Sequence, residues 1–498
     1  MAGRMPMGKV MVRRLSTLVA AVCATAAMAA PAQAATLFTQ IGHGWGHGIG
    51  MSQWGAYGYA QHGFGYEAIL KHYYHDVTLG PLGSSPYVRV LMQTGAGRMR
   101  FHADAPVTVI AEGDGSSSPL PAGDYWVEPG QTVGTQRVWS VADGAFVLRG
   151  LTGSVRVVPS AGPLRLDTST LRGYTGKHWR GSLRSIRHGS RLAIVDVVKL
   201  DGYIRGILPC EVSGSWPQAA VRAQAVAGRS YAVATMGGTG DFDAYSDTRS
   251  QAYCPIESED AGTNDAVDAT AGQVLRNGGS VITAFYSSSS GGRTSSLTAS
   301  WGSASNPPYI VPVRDRYDGA GGANPNHTWA PVVYTRSELA QRFGFPHSRV
   351  AWVRHSIDGP SLRVLSVELH FKNGGTATRT GGQAYTALGL RSTYFRLLGV
   401  TLDGPTRVTA GSRFFLTGRV APRPPSGRVK LQYRVSGGAW QTASRLVELR
   451  TDGTFTVRRR HAHDVSFRLV RPSAVSPVIH VNVAAAAALP SGATARVR

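Results

Sequence analysis

One carboxylate, Glu211, stands in a setting that could support acid catalysis. Leu208 and Pro209 precede it, and Val212 and Trp216 follow it. Apolar surroundings disfavour the charged form of a carboxyl group, so such a group can hold a proton near neutral pH and give it to a leaving group. A Glu at the start of a helix, stabilised by the helix dipole, explains the same pattern without chemistry. These neighbours leave both interpretations open.

Glu211 belongs to a longer block that ends in residues 223–232 (AQAVAGRSYA). The block resembles the core motif of the SpoIID/LytB family (stage II sporulation protein D, amidase enhancer), in which a Glu before an Ala-Gln-Ala-Val-Ala-x-Arg-x-Tyr-Ala helix is the catalytic acid. Three further segments resemble the family: the Gly-His-Gly segment (residues 44–56, GWGHGIGMSQWGA), residues 250–253 (SQAY) and the serine loop (residues 285–292, FYSSSSGG). The resemblance covers roughly residues 36–400.

The resemblance implies a peptidoglycan lytic transglycosylase, which cleaves the MurNAc–GlcNAc β-1,4 bond without water and leaves a 1,6-anhydroMurNAc end. Glu211 would protonate the glycosidic oxygen and then accept the proton of the sugar's own 6-hydroxyl. An ordinary glycosidase uses two carboxyl groups, and the quoted segments contain no second acidic residue that demands this role. We expect neither a cofactor nor a metal ion.

The substrate-binding candidates are the other polar or loop residues of these segments: His47, Gln53, Arg222, Arg229, Tyr231, Gln251, Ser288, Ser289 and Gly291. Arg222 and Arg229 share a helix face, where either would bind lactyl or acetamido oxygens; a structural salt bridge is the alternative for Arg229. Tyr231 either orients the sugar or packs in the core, and the serine loop either lines a polar groove or is a flexible turn. His43 and His47 have the spacing of metal ligands, but the intervening glycines argue against a helix and a metal site.

The order of the segments departs from the family pattern. In most of the family the Gly-His-Gly segment closes the domain, after a segment like residues 388–395 (LGLRSTYF), whereas here it opens the domain. We infer a circular permutation, which requires the strand at 36–41 to lie beside the chain near 395–400. Gly228 is a second departure, since the family often has Ala there.

The N-terminus has the pattern of a secretory signal peptide over residues 1–34. Basic residues precede an apolar run from Leu15 to Ala30, and Ala32-Gln33-Ala34 supplies a cleavage site. The apolar run is shorter than the roughly 20 residues of a membrane span. We therefore expect cleavage after Ala34, no transmembrane anchor afterwards, and a protein secreted or held at the cell wall.

The charge and the cysteines fit an exported protein. Lys and Arg number 52 against 29 Asp and Glu, a net charge of +23. Such a charge either attracts polyanions such as teichoic acids, acidic lipids and peptidoglycan or serves solubility alone; nucleic acid is not an expected partner outside the cell. Cys210 and Cys254 survive signal removal, and an oxidising compartment favours a disulfide between them, with metal binding as the minor alternative.

The fold class predicted is α+β, a mixed, strand-rich SpoIID-like domain at 35–402 followed by an all-β sandwich at 403–483 and a disordered tail at 484–498. Within the first domain we expect helices at Met51–His62, Tyr66–His75 and Gln218–Met236.

The amino-acid sequence is compatible with three functions. The first is the transglycosylase, acting on peptidoglycan glycan strands. The second is a non-catalytic glycan-binding protein that stimulates a cell-wall amidase. The third is a wall-surface adhesion module, suggested by the β-sandwich and the positive charge. The family name alone assigns no role in sporulation.

Overall fold

The computed structural model describes residues 37–168, 173–237 and 240–485. About 19% of the chain is helix and 41% strand, which confirms the mixed, strand-rich α+β composition. The proposed signal peptide lies outside the described residues, as does the predicted tail from 486 onward. Within the described ranges, every helix is too short or too polar to cross a bilayer.

The first segment folds into short elements around the Gly-His-Gly segment. They are β1 (Leu37–Gly42), β2 (Met51–Ser52), α1 (Gln53–Gln61), α2 (Tyr66–Tyr73) and β3 (Thr78–Pro81). Ser52 caps α1, because its hydroxyl accepts a hydrogen bond from the backbone N–H of Gly55 at 3.0 Å. Both helices predicted for this segment form, each slightly shorter than expected.

A strand-rich region follows. Its strands are β4 (Tyr87–Ala96), β5 (Met99–Ala103), β6 (Val107–Ala111), β7 (Ser117–Leu120), β8 (Gly123–Pro129), β9 (Thr135–Ser140), β10 (Ala145–Thr152), β11 (Val155–Pro159), β12 (Leu164–Leu166), β13 (Lys177–Trp179), β14 (Ser182–His188), β15 (Arg191–Lys199) and β16 (Ala244–Tyr245). They form a sheet in the order β16-β4-β15-β14-β11-β6-β7 and another in the order β10-β9-β8-β5-β12-β13. Val90, Phe101 and Ile194 are among the buried residues of their common core.

Helix α3, which ends at Glu211, belongs to a partly helical region between residues 200 and 301. The elements here are α3 (Leu200–Glu211), α4 (Gln218–Thr235), α5 (Ala261–Ala269), α6 (Leu297–Trp301), β17 (Gln273–Asn277), β18 (Ser280–Val281), β19 (Tyr286–Ser287) and a 3-10 turn at Ile256–Ser258. Helix α4 matches its prediction to one residue. Helix α3 was not predicted, because Gly202, Gly206 and Pro209 are poor helix formers. Glu211 is therefore the last residue of α3 and, as expected, precedes the helix α4. The alternative interpretation, a Glu at the start of a helix, does not hold.

The next elements run to residue 403. They are a 3-10 turn at Ala320–Gly322, β20 (Val332–Thr335), α7 (Arg336–Arg342), β21 (Val350–Ile357), β22 (Val364–Phe371), β23 (Thr376–Thr380), α8 (Gly381–Leu388) and β24 (Phe395–Asp403). Strand β1 pairs with β24 in antiparallel register, from Leu37 opposite Val400 to Gly42 opposite Phe395. The expected contact between 36–41 and 395–400 is thus present, while the circular permutation itself stays an inference.

The C-terminal region (residues 403–483) adds a second layer of strands. They are β25 (Arg407–Thr409), β26 (Arg413–Ala421), β27 (Arg428–Val435), β28 (Gln441–Thr442), β29 (Val447–Glu448), β30 (Thr454–Arg460), β31 (Val465–Arg471), β32 (Ala474–Val475) and β33 (Ile479–Ala484). Strands β26 and β30 continue the sheet β20-β1-β24, and a second sheet, β25-β33-β31-β27-β28, faces it across a shared core. The proposed boundary at 402–403 thus falls inside β24, and β33 extends into the predicted tail.

Candidate functional site

A surface groove of about 380 Å³ opens where α3 ends, beside the start of α1. Its lining residues are Gln53, Trp54, Pro209, Cys210, Glu211, Val212, Ser213, Trp216, Asp260 and Ser288. Three of the predicted site residues, Glu211, Gln53 and Ser288, therefore meet in one groove, although Gln53 and Glu211 are 158 positions apart in the chain.

The Glu211 carboxylate is partly buried and accepts two hydrogen bonds. Its Oε2 accepts from Nε2 of Gln53 at 3.0 Å, and its Oε1 accepts from the backbone N–H of Ala252 at 3.3 Å. Burial raises the pKa of Tyr286 well above its usual range, and the charge of Glu211 adds to that rise, so these two groups are electrostatic neighbours. Donors from two separate segments thus fix the orientation of the carboxylate.

The end of α3 is anchored to the 250–253 segment. Cys210 and Cys254 form a disulfide, with Cα atoms 6.2 Å apart, and the backbone N–H of Cys254 donates to the carbonyl of Gly206 at 2.9 Å. A Cβ atom on Gly206 would lie 2.3 Å from Cε2 of Tyr253, so only glycine permits this approach. The Tyr253 hydroxyl in turn donates to the buried Asp196 at 2.7 Å. These contacts place Ala252 beside the Glu211 carboxylate.

The Gly-His-Gly segment and the serine loop cross with their backbones in contact. Trp45 and Ser289 exchange two backbone hydrogen bonds, at 2.9 and 3.1 Å. At the crossing, Gly44 has φ +75°, and a Cβ there would lie 2.7 Å from the carbonyl oxygen of Ser289. Gly291 has φ +72°, and its Cβ would lie 2.6 Å from Cβ of His43. The glycines of both segments are required by this close approach.

A buried carboxylate that sequence reasoning missed, Asp318, holds this crossing together. Its Oδ1 accepts from the hydroxyl of Ser52 at 2.7 Å and from the backbone N–H of Ser290 at 2.9 Å. Its Oδ2 accepts from the hydroxyl of Ser289 at 2.9 Å and the backbone N–H of Gly291 at 3.1 Å. Because Ser52 caps α1, which carries Gln53, Asp318 links the serine loop to the residue that contacts Glu211.

Two further ionisable groups accompany Asp318. Burial opposes ionisation of Asp318, but hydrogen bonds from His327 and two serines outweigh it and lower the pKa of the carboxyl. The same hydrogen bond, 2.7 Å long at Nδ1, raises the pKa of His327. Burial raises the pKa of the neighbouring Asp315 to about 8, and repulsion from Asp318 contributes. Near neutral pH the network thus holds a charged Asp318 beside a protonated Asp315, whose Oδ2 accepts from the Ser290 hydroxyl at 2.8 Å.

His47 does not line the groove with Glu211. Its Nδ1 accepts from the backbone N–H of Ile49 at 3.0 Å, and its ring lies 5.0 Å from that of Trp301. Burial, assisted by the positive charge of Arg363, lowers the pKa of His47 to about 4. The imidazole is therefore neutral at physiological pH, and it is not among the residues that line the groove.

The arginines of α4 also lie apart from the groove lining. Arg229 is fully buried, and its Nε and Nη2 both lie 2.8 Å from Oδ1 of Asp201 on α3. Its Nη1 donates to the carbonyl of Gln273 at 3.2 Å. The geometry is that of the structural salt bridge, the alternative interpretation of this residue. Arg222 is partly buried, and its Nε has no hydrogen-bond partner in the described chain.

Gln251 and Tyr231 lie behind the groove. Nε2 of Gln251 donates to the hydroxyl of Tyr286 at 2.9 Å and to the carbonyl of Gly228 at 3.3 Å. The Tyr231 ring packs 5.9 Å from that of Phe285, and burial raises its pKa. The structure brings neither side chain to the groove lining.

The lining of the groove also contains aromatic rings and a second carboxylate. Trp54 and Trp216 have ring centroids 5.0 Å apart, and Tyr57 lies 5.0 Å from Trp216. The exposed Asp260 is a second carboxylate of the lining, where its Oδ1 also caps α5 by accepting from the backbone N–H of Thr263 at 2.9 Å. Among the described residues, no three His, Cys, Asp or Glu side chains gather in a way that would hold a metal ion.

The part of the chain that contains Glu211 is similar to known proteins. The family profile described as "SpoIID: Stage II sporulation protein" matches residues 188–276, which include Glu211, α4 and the 250–253 segment. The chain is 37% identical over 115 residues to the "Amidase enhancer" of Bacillus subtilis (strain 168). Residues 188–276 therefore match a SpoIID domain, which supports the resemblance to the SpoIID/LytB family. An uncharacterized protein of Brachyspira hyodysenteriae (strain ATCC 49526 / WA1) is 33% identical to this chain over 140 residues.

These matches cover limited parts of each protein. The alignment with the amidase enhancer spans 23% of this chain and 15% of that protein, and the alignment with the Brachyspira protein spans 27% and 38%. Among solved structures, the sulfur carrier protein SoxY from Chlorobium limicola f thiosulfatophilum aligns over 17% of this chain and 78% of its own, with 13% identity and a TM-score of 0.13. That score is too low to support a structural inference.

Proposed function

We propose that this protein is exported and cleaves peptidoglycan glycan strands as a lytic transglycosylase, with Glu211 as the acid and base. The observation that carries the proposal is the Glu211 carboxylate in the lining of an open groove, held by hydrogen bonds from Gln53 and Ala252. The SpoIID match over residues 188–276 and the similarity to an amidase enhancer support a role at the cell wall.

The proposed reaction needs one carboxyl group. The proton of Glu211 passes to the glycosidic oxygen as the bond from that oxygen to C1 of MurNAc breaks. The oxygen of the same sugar's 6-hydroxyl then bonds to C1, and its proton returns to Glu211. No water is consumed, and the products are a GlcNAc 4-hydroxyl and a 1,6-anhydroMurNAc end. Trp54 and Trp216 at the rim offer apolar ring faces and edges for sugar packing.

A second function is favoured by one observation, the name of the Bacillus relative, "Amidase enhancer". Under this alternative the groove binds glycan strands without cleaving them, and the protein stimulates a cell-wall amidase. Glu211 would then serve as a hydrogen-bond acceptor for the sugar and for Gln53.

The deciding experiment digests purified glycan strands, with and without stem peptides, and measures 1,6-anhydroMurNAc ends by mass spectrometry. We expect Glu211→Gln to lower the rate by about 10²–10⁴-fold, the usual range for loss of a general acid. Asp260→Asn is the matched control, because it removes a carboxylate from the same groove while Asn still caps a helix; it should retain the rate within about threefold.

The outcomes separate the two functions. Anhydro ends that form at the original rate with Glu211→Gln would remove Glu211 from the proposed role. Hydrolysis would leave reducing MurNAc ends in place of anhydro ends. If the unmodified protein produces such reducing ends and the Asp260→Asn variant does not, the protein is a hydrolase that uses two carboxyl groups. Glycan binding without product from the unmodified protein, together with stimulation of an added amidase, would favour the second function.

A further inference from the structure

The outer face of β26 is cationic and partly apolar. Arg413, Phe415 and Thr417 alternate along the strand and are exposed, whereas Phe414 and Leu416 between them are buried in the core of the C-terminal region. Phe415 is 56% exposed and adds an apolar ring to the cationic face.

The strand register places further arginines against this face. Arg413 lies directly opposite Arg460 of β30, and Phe415 lies opposite Arg458. Arg458 and Arg460 are both exposed. Like charges directly opposite each other destabilise a pair of strands. The arrangement therefore costs stability unless an anionic partner neutralises it.

Carboxylates of the C-terminal region do not provide that neutralisation. The region contains fourteen Lys and Arg residues and four Asp and Glu residues. Glu448 pairs with Arg428 at 3.1 Å, and Asp452 pairs with Arg419 at 3.5 Å. In the part of the chain that the structure describes, no carboxylate forms an ion pair with the arginines opposite or beside Phe415.

We propose that this arginine face, formed by Arg413, Phe415, Arg458 and Arg460, binds a phosphodiester-linked anionic polymer of the cell wall. The proposal rests on the proposed location at the wall and is independent of catalysis by Glu211. A guanidinium group binds phosphate oxygens in pairs. Arg458 and Arg460 are two residues apart on one strand, about 7 Å, and phosphates joined by three-carbon units have a similar spacing. Phe415 contacts the carbon chain between them.

The test measures sedimentation of the purified full chain with cell walls, before and after hydrofluoric acid removes their phosphodiester polymer. The background is Glu211→Gln, so cleavage cannot release the protein. The test variant carries Arg413→Gln, Arg458→Gln and Arg460→Gln. The matched control carries Arg407→Gln, Lys430→Gln and Arg445→Gln, which remove the same charge from exposed positions elsewhere in the region.

We expect the test variant to bind untreated walls at least tenfold more weakly, and the control variant to stay within about threefold. The slope of log affinity against log salt should fall by about two, since each cation contributes about 0.7 on a flexible polyanion. Unchanged binding of the parent protein to acid-treated walls would overturn the proposal, and so would equal losses in both variants. Activity on soluble glycan fragments, assayed with Glu211 intact, should be unchanged in either case.

Discussion

The contact between Gln53 and Glu211 joins the two motifs that define the groove. A hydrogen bond to a carboxyl group contributes about 0.5–1.5 kcal/mol when the group is neutral and about 1.5–3 kcal/mol when it is charged, and Glu211 passes through both forms in the proposed reaction. We therefore expect Gln53→Ala to lower the rate of anhydro-end formation by about 10–100-fold, because the carboxylate loses one of the donors that orient it. The measurement is the initial rate on purified glycan strands.

Gln61→Ala is the control for that change, since Gln61 closes the same helix and donates to the exposed hydroxyl of Tyr57 at 3.0 Å. It should leave the rate within about twofold. Equal rates for Gln53→Ala and the unmodified protein would show that the backbone N–H of Ala252 orients Glu211 without Gln53.

Gly206 provides a test of packing at a single position. A Cβ at this position would meet the Tyr253 ring at 2.3 Å, so we expect Gly206→Ala to lower the free energy of unfolding by about 1–3 kcal/mol. Gly382→Ala on α8 is the control, because its Cβ would meet only a Thr380 hydroxyl, at 3.9 Å. There the helix propensity of Ala should stabilise the protein by up to about 1 kcal/mol. Denaturant unfolding measures both changes, and equal effects would argue against the close approach.

At the scale of the elements, the disulfide holds the end of α3 against the 250–253 segment. The two cysteines are 44 positions apart, and closing a loop of that length stabilises a chain by about 4 kcal/mol in the chain-entropy account. We expect dithiothreitol to lower both the thermal midpoint and the cleavage rate. The double variant Cys210→Ser, Cys254→Ser should have the lower thermal midpoint and cleavage rate without dithiothreitol, and dithiothreitol should not change them further. If dithiothreitol does lower these values in the double variant, the disulfide is not the cause of the response.

The sequence motifs predicted residues that line the groove, but they did not predict several of the contacts that support it. The motif blocks contain Glu211, Gln53 and Ser288, and the Ala-rich run predicts α4. Helix α3 was missed because local propensity opposes it and burial against the core outweighs propensity. Asp318 was missed because its partner Ser52 is 266 positions away. The segment around Asp318 is rich in turns, so it has no hydrophobic periodicity from which a contact with Ser52 could be predicted.

The network around Asp318 predicts how stability depends on pH. In the unfolded chain Asp315 ionises near pH 4, whereas in the folded chain its pKa is about 8, so unfolding between these values releases a proton and stability falls as pH rises. The raised pKa of His327 acts in the same direction above about pH 6.5. Asp196, whose pKa burial also raises to about 8, adds to the slope.

We therefore expect Asp315→Asn to reduce the fall in unfolding free energy between pH 5 and pH 8, by up to about 1.4 kcal/mol per pH unit. Asp318→Asn should instead destabilise the protein across this range, because its carboxylate is charged and accepts several hydrogen bonds. Denaturant unfolding at a series of pH values measures both. An unchanged slope in Asp315→Asn would show that Asp315 is already ionised in the folded protein.

At the scale of the whole molecule, β24 belongs to both halves of the chain. It pairs with β1 on one side and with β26 on the other, and its Leu398, Val400 and Leu402 are at most 3% exposed in the core of the C-terminal region. The strand that pairs with β1 is thus also a wall of the second core. The C-terminal region is therefore part of the same packed structure and not a freely jointed addition.

This shared strand predicts the effect of truncation. A chain that ends at Asp403 would expose three apolar side chains, each of which contributes about 1.5–3 kcal/mol when fully buried. It would also leave one edge of β24 unpaired, an edge that promotes aggregation. We expect a lower thermal midpoint, increased binding of a hydrophobic dye and loss of cleavage at 37 °C. A chain that ends at residue 485 is the control and should match the full chain, because it retains both sheets. The chain ending at Asp403 could instead melt at the same temperature as the control. In that case the two regions fold independently, and the groove does not need the strands that follow β24.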